Sequence, residues 1–161
     1  MKLFTLIILT LLMNTCAGRK ELASNINSKK TEGVNQSMAT QDMGLTLIYS
    51  ATSRGFLNKI SINAINTTYQ LNFDEKPIII PTNKDDWEAL METLKDLDYK
   101  SLTHLEAPSK AHQYDGAAQA SFTIHNNEED HYVTPTFDAG NPNKAIAATI
   151  KTMRSLIPSK K

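Results

Sequence analysis

LTLIYSATSRGFLNKISINAINTTYQLNF, residues 45–73, decides the fold. Leu45, Leu47 and Tyr49 alternate with Thr46, Ile48 and Ser50, the period of two that a strand with one buried face requires. Thr52-Ser53-Arg54-Gly55 then carries turn chemistry, and Gly55 can take a positive φ at little steric cost. Phe56, Ile60, Ile62 and Ala64 alternate with Lys59, Ser61 and Asn63, which predicts a second strand. Asn66-Thr67-Thr68 reads as another turn before a third strand carrying Tyr69, Leu71 and Phe73. Three strands joined by short turns predict an antiparallel meander.

Downstream the period changes. Ile78–Ile80 is a short apolar run between Pro77 and Pro81, suited to a sheet edge because proline brings no N–H to a ladder. Trp87, Leu90, Met91, Leu94 and Leu97 recur at helical spacing. Asn83 is placed to cap that helix, and Asp85 and Asp86 fall in its first turn, where the helix dipole favours negative charge. After a polar loop at 106–110, Ala118, Ala120, Phe122 and Ile124 alternate again. A polar hairpin loop (126–130) and a return strand (131–137) follow. Asn141-Pro142 offers a cap and a first-turn proline for a second helix, whose stripe is Ile146, Ile150, Met153 and Ile157 and whose end is Pro158. The order strands, helix, strands, helix predicts an α+β domain. Its antiparallel sheet has about five to six strands, with two helices packed on one face.

Upstream of residue 44 the chemistry is different. Met1-Lys2 precedes an apolar run, Leu3 to Met13, broken only by Thr5 and Thr10. A basic start and a run this short fit a secretory signal rather than a membrane span, which needs about 20 residues. Met13-Asn14-Thr15-Cys16 resembles the lipobox of bacterial lipoproteins, the family in which the cysteine is diacylated and the signal is cut just before it. That resemblance implies a signal peptide at 1–15, a lipidated Cys16 and a membrane-anchored protein of the cell envelope. A cut after Ala17, with Thr15 and Ala17 as the small residues, fits instead a freely secreted or periplasmic product. Residues 17–43 are polar and lack periodicity, so they are expected to form a flexible tether between anchor and domain. The domain is then 44–158, with a short tail at 159–161.

Charge and motif content narrow the function. Seventeen Lys and Arg balance seventeen Asp and Glu, so no electrostatic footprint points to nucleic acid. Cys16 is the only cysteine, which rules out an intramolecular disulfide. The sequence contains no G-x-S-x-G, no H-E-x-x-H and no phosphate-cradling glycine loop. A non-catalytic domain without metal or cofactor is the expectation, one that binds or inhibits a protein partner through its loops. Arg54 and Phe56 at the first turn, and Asp115 and Asp138 in the loops 114–117 and 138–141, are the expected contacts, since interface hot spots favour arginine and aromatics. The bland reading of the first two is that Phe56 starts the core face and Arg54 is a solvated turn residue. A metal-dependent hydrolase is the alternative from another class. It would use His125 and His131, which flank the acidic stretch Glu128-Glu129-Asp130.

The element order over roughly residues 45–157 is faintly similar to that of emfourin-type protease inhibitors. Those small bacterial proteins have an early strand pair with a Gly-containing turn, a Leu-rich helix, a hairpin and a final helix. The resemblance implies an inhibitory role but assigns no inhibitory residue.

Overall fold

The computed structural model describes residues 44–126 and 130–158. Seven strands form one antiparallel sheet: β1 Thr46–Ser53, β2 Phe56–Asn63, β3 Asn66–Gln70, β4 Ile78–Pro81, β5 Gln119–His125, β6 His131–Val133 and β7 Phe137–Asp138. The path across the sheet is β4-β3-β2-β1-β5-β6, and β7 pairs with β5. Two helices, α1 Lys84–Leu94 and α2 Lys144–Ser155, complete the α+β domain.

Alternation along the strands separates a dry face from a wet one. Leu47, Tyr49 and Ala51 of β1, Ile60 and Ile62 of β2, and Ala120, Phe122 and Ile124 of β5 are buried in one cluster. Trp87, Leu90 and Leu94 of α1 and Ile146, Ile150 and Met153 of α2 belong to the same cluster, so both helices cover the same side of the sheet. The opposite side carries Ser50, Ser61, Ser121 and Thr123, all half-buried, and exposed Lys59; a polar row is what an uncovered sheet face permits. Three hydroxyl groups in and at the edge of the core are satisfied. The Tyr49 hydroxyl donates to the Ala139 carbonyl at 3.1 Å, and the hydroxyls of Thr93 and Thr149 meet between the helices at 2.9 Å. Burial pushes the Tyr49 phenol above its usual range, because the anionic form would be poorly solvated there.

Several boundaries differ from the sequence reading, each for a local reason. The second turn lies at residues 64–65, not at Asn66-Thr67-Thr68, which instead open β3. The Asn63 carboxamide oxygen accepts from the backbone N–H groups of Ile65 (2.9 Å) and Asn66 (2.8 Å), closing the turn two residues early. The return strand is broken into β6 and β7. Thr134 hydrogen-bonds Phe122 both through its backbone N–H and through its hydroxyl, and Pro135 behind it has no N–H to continue the ladder. The second helix is capped by Asn143, whose side chain accepts from Ala145 N–H at 3.0 Å, not by Asn141. Asn83 caps α1 as its position predicts, accepting from Asp85 N–H at 2.8 Å. The loop after α1 contains two 3-10 turns, Tyr99–His104 and Ala111–Gln113, which the sequence pattern did not show.

Both sheet edges are guarded. Thr82 N–H donates to Ile65 O at 3.0 Å, and the register pairs Thr67 with Ile80 and Tyr69 with Ile78. Ladder alternation therefore turns the backbone of Ile79 outward, together with positions 77 and 81. Both of those are prolines, so the free edge keeps a single N–H and cannot template a further strand. At the other edge Tyr132 of β6 lies beside Tyr99, ring centroids 6.3 Å apart.

Candidate functional site

The β1–β2 hairpin ends at Arg54-Gly55, where Gly55 holds φ at 76°. Opposite it runs the segment 112–117, whose own reversal depends on Gly116 at φ 83°. Side chains other than glycine rarely adopt such angles, so both reversals rest on residue choice. Between the two lies an open cleft of about 610 Å³, bounded by 52–54, 112–117, Phe73 and Gln119. Tyr114 (75% exposed) and Phe73 (55%) line it. Arg54 and Asp115 face each other across its rim with nitrogen and oxygen 3.4 Å apart. Both side chains are more than four-fifths exposed, so the pair contributes little to stability and stays available to an incoming charge. Phe56 is 42% exposed at the base of the same hairpin tip. It holds the core-face parity of β2 but lies past the end of the covered surface.

Three of the four expected contact residues, Arg54, Phe56 and Asp115, thus stand at one end of the sheet and are exposed. Asp138 does not belong with them. It is 9% exposed, and its carboxylate is spent inside the fold. It accepts from the Ser109 hydroxyl, from the backbone N–H of His112, from the Ala111 N–H at 3.3 Å and from the His112 ring at Nδ1, 2.8 Å away. Asn141 Nδ2 donates in turn to Ser109 Oγ at 2.9 Å. This bracket fastens the segment leading to Tyr114 and Asp115 onto the end of β7. The Ser109 hydroxyl bond, followed by the bonds from His112 and Ala111, holds the Asp138 carboxyl below its ordinary value, and partial burial opposes them.

Serine, histidine and aspartate meet here, but not in the order of a hydrolytic triad. There the imidazole lies between hydroxyl and carboxylate and takes the hydroxyl proton. Here the carboxylate lies between the other two, so His112 has no line to the Ser109 proton. An ionised carboxylate only accepts, which assigns the His112 proton to Nδ1 and orients the ring. The bracket is a positioning device for the cleft wall. Sequence reasoning missed it because its partners are 26 to 29 residues apart and no local pattern links them.

His125 and His131 lie at the far end of β5, directly opposite each other in the β5–β6 register. Their rings are stacked, with centroids 5.5 Å apart and planes 22° apart. Asp130 accepts from the Tyr132 hydroxyl at 3.2 Å, while Glu128 and Glu129 lie outside the described residues. Among the described residues no group of three or more His, Cys, Asp or Glu side chains converges as a metal cage. His104 sits in the last turn of the first 3-10 segment, exposed. Cys16 and the whole of 1–43 also lie outside the described residues, and no described helix is long and apolar enough to cross a membrane.

Compared with protein-family models, with curated proteins and with solved structures, the chain matches none.

Proposed function

We propose that this is an exported envelope protein, anchored through a lipidated Cys16, whose domain is a non-catalytic module that binds a protein partner at the hairpin-tip cleft. The observation that carries the binding half is the gathering of Phe73, Tyr114, Arg54 and Asp115 around one open depression. Aromatic side chains standing more than half exposed cost solvation unless something covers them, and tyrosine and arginine are the residues on which interface energy concentrates. The Asp138 bracket supports this reading, because a pre-positioned wall loses less entropy on binding. The signal-like opening and the lipobox resemblance support export and anchoring.

One preparation tests both halves. The full chain is recovered from membrane and soluble fractions, and its intact mass is measured. A membrane species beginning at Cys16 with added acyl mass is expected; a soluble, unacylated species beginning near Gly18 would replace the anchor by free export. Crosslinking of the recovered protein is then expected to capture one partner, and Tyr114→Ala and Phe73→Ala should each weaken that capture about tenfold or more. Arg54→Ala, at an exposed pair, should cost less. Capture that is unchanged in the Phe73/Tyr114 double variant would remove the cleft from the proposal.

A further inference from the structure

The two histidines at the opposite end of the sheet form a second feature, independent of the cleft. Asn126 N–H donates to Asp130 O at 2.9 Å, and Thr134 N–H donates to Phe122 O at 2.9 Å. Counting inward from these two bonds, Ile124 and Tyr132 form a hydrogen-bonded pair, and His125 and His131 a pair of the other kind. In pairs of that kind the Cα atoms come closest, about 4.5 Å, and the side chains stand side by side on one face. Both residues are exposed, so neither ring is committed to the core.

The spacing of the rings fits a shared ligand. A metal–nitrogen bond of about 2.0–2.1 Å, extended by about 1.1 Å from nitrogen to ring centre, puts two imidazoles on one tetrahedral ion about 5 Å apart between centres. The observed separation is 5.5 Å. The rings are stacked, with planes 22° apart, so their nitrogens converge on one ion only after both rings turn about their side-chain torsions, a rotation open to two solvent-facing side chains. We propose that His125 and His131 are a two-nitrogen site for a divalent transition-metal ion of the zinc and copper class. Neutral imidazole suits those ions, whereas magnesium and calcium require oxygen donors. Asp130 is engaged by Tyr132, and it precedes His131 in the chain, so alternation points it to the other side of β6. Among the described residues no third His, Cys, Asp or Glu joins the pair, so water or another donor would complete the coordination. The site lies beside Thr46, the first residue of β1.

The test uses the full chain, stripped with chelator and titrated calorimetrically with Zn²⁺ and with Cu²⁺. One saturable equivalent is expected for each ion, weakening as the pH is lowered because protons compete for the imidazoles. His125→Gln and His131→Gln should each weaken binding at least about tenfold, the double variant should abolish it, and His104→Gln should leave it unchanged. Paramagnetic broadening of wild-type amide signals by Cu²⁺ reads the position without any substitution; it should centre on residues 124–132. Absence of a saturable equivalent, retention of binding by the double variant, or broadening centred elsewhere would each overturn the proposal.

Discussion

Phe122→Ala is expected to destabilise the domain by about 3–5 kcal/mol, a large share of the roughly 5–15 kcal/mol that holds a domain of this size together. Phe122 is fully buried in β5, directly across the ladder from Tyr49 of β1. Its neighbours cannot close the space its ring would leave. Tyr49 is held by its hydroxyl bond to Ala139, and the backbone of Phe122 is pinned on its other side by two bonds to Thr134. The cost is therefore the lost transfer of the ring from water plus a cavity that persists. The melting midpoint should fall by roughly 10 °C or more. Phe73→Ala makes the same chemical change at a residue 55% exposed and should shift stability by no more than about 0.5 kcal/mol. A Phe122 variant melting within a degree or two of the wild type would mean that the core is not packed as described.

That contrast also shows what the sequence made legible. Strand parity was readable because a period of two assigns every side chain to one face or the other: Leu47, Tyr49, Ile60, Ile62, Phe122 and Ile124 are all buried, as the alternation predicts. The α1 stripe was readable for the same reason at a period of 3.6, although the helix ends at Leu94 and leaves Leu97 beyond it. Three of the misplaced boundaries were each decided by the hydrogen bonds of one residue. Asn63 reached forward to close a turn, Thr134 doubled its bonds to Phe122, and Asn143 rather than Asn141 capped α2. Each of these competes with an alternative asparagine or threonine only one or a few residues away, and periodicity does not discriminate between them. The cleft was half legible. Residue type and turn chemistry pick out Arg54 and Asp115 on its rim, and Phe56 beside it, but not Phe73 or Tyr114. Phe73 was assigned to a third strand, yet β3 ends at Gln70 and Phe73 stands beyond it on the cleft wall.

Asp138 marks the limit of sequence reading, and its substitution should have the largest effect on the site. Asp138→Asn replaces one acceptor oxygen of the carboxylate by a donor amide, so at least one of the donors from Ser109, Ala111 and His112 loses its partner. The expected result at pH 7 is a melting midpoint lower by roughly 5–10 °C and a loosened 109–117 segment, seen as faster amide exchange there than in β1 or β5. Partner capture at the cleft should weaken as well, although Asp138 itself is buried. The pH dependence follows from the sign of the shift. The folded-state carboxyl titrates below its ordinary value of 3.8, so the folded protein binds fewer protons than the unfolded chain in that window. The contribution of the bracket is thus fully present above that value and is lost as the pH falls through the lowered folded-state pKa. The midpoints of wild type and Asp138→Asn should therefore stay separated by a constant amount near neutrality and converge below pH 3.8, where the wild-type carboxyl also becomes protonated. A gap that persists unchanged into that acid range would show that the charge of Asp138 contributes nothing to the bracket, leaving only the shape of its side chain to hold the cleft wall.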